Sequence, residues 1–155
     1  MAAPGPNALV RKVSWLGGNY VCAGQRHGLF RRGAQRFAAA GRKDLAEVAL
    51  RKADEETGHA ELAYRDLEAL GLPAAEVIRL VQPPSAQTFA DRFRSYVESS
   101  DPIALFGFSY CLERMALARD AAFVRNVETI CPPGTRSSWF IRVHRTISIH
   151  SGPVN

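Results

Sequence analysis

The sequence predicts an all-α protein, and three observations carry that prediction. Apolar residues recur at spacings of three and four between Lys43 and Leu70, the period of one helix face. That stretch stops at Gly71 with Pro73 just beyond, and Ser99-Ser100-Asp101-Pro102 supplies a cap followed by a proline at the first helical position. No segment has convincing strand character: the one β-prone run, Thr146-Ile147-Ser148-Ile149, is short and continues a helical pattern.

Taken in order, residues 1–7 read as a flexible lead. A first, Ala/Arg-rich helix follows over roughly Ala8 to Ala40. Gly17-Gly18 inside it predicts a kink or a close approach by another segment, because glycine costs about 1 kcal/mol against alanine in a helix. The second helix runs from Lys43 to Leu70. Its stripe of Leu45, Val48, Ala49, Lys52, Glu56, His59, Ala63 and Leu67 is polar in the middle. A short helix over Ala74 to Val81 leads to the Pro83-Pro84 loop, and another covers Ala86 to Glu98. A long helix then extends to about Ile130, ended by Cys131-Pro132-Pro133-Gly134, and a last one covers Ser137 to Ser151. The 155 residues form one domain, with no internal repeat.

Composition narrows the function classes. The net charge of +5 is mostly arginine and spread out, so solvated helix faces explain it better than nucleic-acid binding. Cys22, Cys111 and Cys131 are widely spaced, which predicts buried, reduced thiols rather than a zinc ribbon or a disulfide framework. No apolar run reaches a membrane span and no secretion signal is evident, so the expectation is a cytoplasmic protein without membrane partners. Neither Gly-x-Ser-x-Gly nor a phosphate-cradling Gly-x-x-x-x-Gly-Lys loop occurs.

The informative cluster is Glu56, His59, Glu113 and His144. Glu56 and His59 are three apart, hence on one face of a helix. Carboxylate with imidazole is a ligand set for iron, manganese or zinc, and helical bundles hold such ions with side chains projecting from several helices. Each residue also has a plain alternative. Glu-x-x-His is common on solvated faces, Glu113 can pair with Arg114 or Arg119, and His144 can be a core histidine. Tyr110, one turn before Glu113, is placed to hydrogen-bond it. Tyr64, Phe106, Phe108 and Trp139 are candidates for a pocket wall, though an aromatic stripe is more often core. His27, in an Arg-rich stretch, is expected at the surface.

The segment from Glu55-Glu56-Thr57-Gly58-His59 to Leu70-Gly71 resembles that of the heme-oxygenase-like diiron oxidases and oxygenases, relatives of thiaminase II and pyrroloquinoline-quinone synthase. Leu105 to Glu113 is similar to the family's second ligand helix, and Trp139 to His144 to the start of its last one. The resemblance covers roughly Lys43 to Val154. It implies a helical bundle that binds ferrous iron and uses dioxygen to oxidise a small organic substrate, with a homodimer possible by analogy. Carried over, Glu56, His59, Glu113 and His144 are metal ligands. A cofactor-independent relative of thiaminase II type would use Glu113 with Tyr110 as an acid/base pair.

The chain departs from the family pattern at its end. His-x-x-x-Asp-x-x-His would place Asp and His where Ser148 and Ser151 stand, and a hydroxyl is a poor iron ligand. His150 lies about 120° round the helix from His144. The bundle therefore reads as shortened at the C-terminus. One iron or a weakened site is expected rather than a full pair, and a non-catalytic member of the same fold is the alternative.

Overall fold

The computed structural model describes residues 6–118. Within them lie six α-helices and no strand: α1 (Pro6–Ala39), α2 (Lys43–Glu56), α3 (His59–Ala69), α4 (Ala74–Leu80), α5 (Pro84–Glu98) and α6 (Ala104–Leu117). The all-helical class is as the periodicity predicts. The predicted last helix, with Trp139, His144, Ser148, His150 and Ser151, lies outside the described residues, as does Cys131.

The spine is α1, 34 residues and about 50 Å long at 1.5 Å per residue. Leu16, Ala23, Phe30 and Phe37 lie on it at intervals of seven and are all buried, so one seam of the helix faces the core throughout. The helix begins at Pro6, so Pro6 and Asn7 belong to it rather than to a flexible lead. It also runs through Gly17 and Gly18 without ending. A Cβ added at Gly17 would sit 2.5 Å from the Val81 carbonyl oxygen, so this glycine admits the chain leaving α4. Of the two sequence expectations, close approach holds.

A tight turn at Gly41 (φ +75°) reverses the chain, and α2 and then α3 run back along α1. Successive contacts record the antiparallel course: Arg31 to Asp54, Arg26 to Glu56, then Gly24 facing Ala60. α4 closes the end near Gly17. α5 then runs parallel to α1, from the Cys22 thiol donating to the Ala86 carbonyl (3.7 Å), through Phe30 against Phe93, to Arg32 on Glu98. Asp101 Oδ1 accepts the Ile103 amide at 3.1 Å and starts the turn into α6, whose regular helix opens at Ala104, two residues later than predicted. α6 descends beside α1 and α2, from Leu105 at Gly33 to Glu113 at Lys52.

One feature corrects the sequence reading. The helix expected over Lys43 to Leu70 is two helices, because Thr57 adopts an extended conformation and Gly58 a left-handed one (φ +80°). Thr57 N–H closes a short turn on the Asp54 carbonyl (3.1 Å), and α3 restarts at His59. Glu56 and His59 flank this break; they do not share one continuous helix.

The apolar interior falls into two clusters. One joins Phe30, Ala34, Phe37, Ala49, Ala53, Phe93, Val97 and Leu105; the other joins Leu16, Ala63, Leu67 and Ala74. Between them, where α2 gives way to α3 opposite the middle of α1, the helices meet through charged side chains. Phe106 stacks on Phe37, and Phe108 packs among Phe89, Phe93 and Tyr96. Both act as core, as does Tyr64 against the second cluster.

Candidate metal centre

The charged seam is built from four helices. α1 contributes Arg26, α2 contributes Lys52, Glu55 and Glu56, α3 contributes His59, and α6 contributes Ser109 and Glu113. Arg26 reaches it because it lies three residues after Ala23 and four before Phe30, on the buried seam of α1.

Glu56 is the most constrained group. Its Oε2 accepts from Arg26 Nη2 at 2.9 Å and from His59 Nδ1 at 2.8 Å, and its side chain is only 10% exposed. A carboxylate oxygen accepts and cannot donate, so His59 Nδ1 carries the hydrogen. In the neutral ring this leaves the lone pair on Nε2. The pair is therefore an imidazole with an orienting carboxylate rather than two equivalent ligands. Burial pushes the Glu56 carboxyl up, but the His59 hydrogen bond and the charges of Arg26, His59 and Lys52 outweigh it and hold the carboxyl below its usual range.

Glu113 is held from α2. Lys52 Nζ lies 2.8 Å from Glu113 Oε1 and 2.9 Å from Glu55 Oε2, bridging α2 and α6. Burial works to lower the Lys52 pKa, yet the hydrogen bonds and charges of Glu113 and Glu55 raise it overall, so the amine stays protonated. The hydroxyl that reaches Glu113 belongs to Ser109, at a long 3.5 Å. Tyr110, read from sequence as the partner of Glu113, is 62% exposed. The cluster is thus three carboxylates against two permanent cations, one negative charge in excess.

Among the described residues, no three His, Cys, Asp or Glu groups stand together as an ion-holding set. Glu56, His59 and Glu113 all face the seam, but the chain's own cations are bonded to both carboxylates. The fourth expected ligand, His144, lies outside the described residues. Imidazole and carboxylate are donor types that iron accepts, but here Arg26 and His59 hold Glu56 and Lys52 holds Glu113. No family model matches the chain, nor does any curated protein or solved structure.

Sequence reasoning missed Arg26 and the role of Lys52. Both left a signal, since each is a cation on an otherwise buried helical stripe. Two surface assignments also change. His27, expected at the surface, is half-buried and donates from Nδ1 to the Ala53 carbonyl at 3.0 Å, with Thr57 Oγ1 at 3.1 Å. Cys111, expected buried, is exposed, while Cys22 is half-buried and its thiol is pushed up by burial against a smaller opposing effect of Arg26. No helix among the described residues is long and apolar enough to cross a membrane.

Proposed function

We propose that the chain is a non-heme iron oxidase or oxygenase of the heme-oxygenase-like kind, with one weak ion site at the seam between its two apolar clusters. The observation that supports this most is the Glu56–His59 pair, kept at 2.8 Å across a break in the helix. A histidine held this way by a buried carboxylate has its ring orientation fixed through Nδ1, which leaves Nε2 as the outward-facing ring nitrogen. Glu113 supplies a carboxylate from the opposite helix, and His144 is the proposed fourth group. When bound, ferrous iron would supply the electrons that reduce dioxygen during oxidation of a small organic substrate. The protein's own part is to aim His59, to keep Glu56 ionised through Arg26, and to present Glu113 from α6.

A second reading rests on Lys52. If the ammonium never leaves Glu113, the seam is a metal-free charge cluster. His59, oriented by Glu56, would then be an acid/base group of the seam beside Glu113, or the protein would be non-catalytic.

Anaerobic titration with ferrous iron, followed by desalting and metal analysis, tests the first reading. About one equivalent retained, with an absorbance change on exposure to oxygen, is the expected outcome. Retention below about half an equivalent from an excess of iron, with no spectral change, favours the metal-free reading.

A further inference from the structure

We draw no further inference here: the strongest candidate, the outward face of α6, where Ile103, Tyr110 and Met115 stand exposed beside Gly107 and Cys111, carries none because nothing in the structure shows what covers it.

Discussion

Glu56 shows how one residue ties stability to the seam. Its carboxyl is depressed in the folded chain, so the folded state binds fewer protons than the unfolded state in the acid range. Its stabilising contribution is therefore full above the unfolded value, about 4.3, and is lost as pH falls through the folded value. Lys52 has the opposite sign. Its raised value makes its contribution full below about 10.4, to be lost as pH rises through the folded value. Glu56→Gln should cost about 1.5–3 kcal/mol at neutral pH, the range for hydrogen bonds to charged groups. It should also flatten the acid limb of the stability curve, measured by urea denaturation between pH 3 and 7. An unchanged acid limb would mean that another carboxylate carries it. At this scale the anions were legible in the sequence and their partners were not. Glu56 and His59 announce themselves by spacing, whereas Lys52 and Arg26 look like ordinary surface cations until the α1 seam and the α2 stripe are laid together.

The elements follow from where the chain allows a break. Periodicity alone predicts one helix from Lys43 to Leu70, because the apolar stripe keeps its phase past Thr57 and Gly58. What ends α2 is local: an extended Thr57 followed by Gly58 at φ +80°, a left-handed conformation that an L side chain resists. There is open space around Gly58, so a Cβ there meets nothing and the cost of Gly58→Ala is conformational, about 1–2 kcal/mol. That variant should lose stability and also loosen the Glu56–His59 hydrogen bond, seen as changed His59 ring chemical shifts in NMR at fixed pH. A gain in stability would mean that α2 and α3 fuse readily. Gly17 is the contrasting case. Its backbone is ordinary helix, but a Cβ would lie 2.5 Å from a backbone oxygen that cannot swing aside. Gly17→Ala should therefore cost about 1–3 kcal/mol by overpacking, measured by thermal denaturation. The sequence offered kink and close packing as equal readings of Gly17. Only the position of Val81, set by α4 more than sixty residues on, decides between them.

For the molecule as a whole, the question is whether the seam divides the fold or joins it. Phe30, Phe37, Phe93 and Leu105 pack on one side of Arg26 and Glu56, and Leu16, Leu67 and Ala74 on the other. Apolar burial alone would let these two clusters open separately. Three features oppose that: α1 runs through both, Arg26 bonds α1 to Glu56 at the end of α2, and Glu56 in turn holds His59 at the start of α3. Breaking a charge pair in a partly buried seam leaves its partner poorly solvated, which makes separation of the halves costly. The described helices should therefore unfold as one cooperative unit. Phe93→Ala should cost about 3–5 kcal/mol and Leu67→Ala about 2–5 kcal/mol. Since the two side chains lie in different clusters, the double variant should lose the sum within about 0.5 kcal/mol, still in one transition. Urea denaturation followed by circular dichroism and by tryptophan fluorescence checks this. If Leu67→Ala produces an early transition while the Phe93 side remains helical, the seam is a boundary between two units, and the Arg26–Glu56–His59 contacts are too weak to couple them.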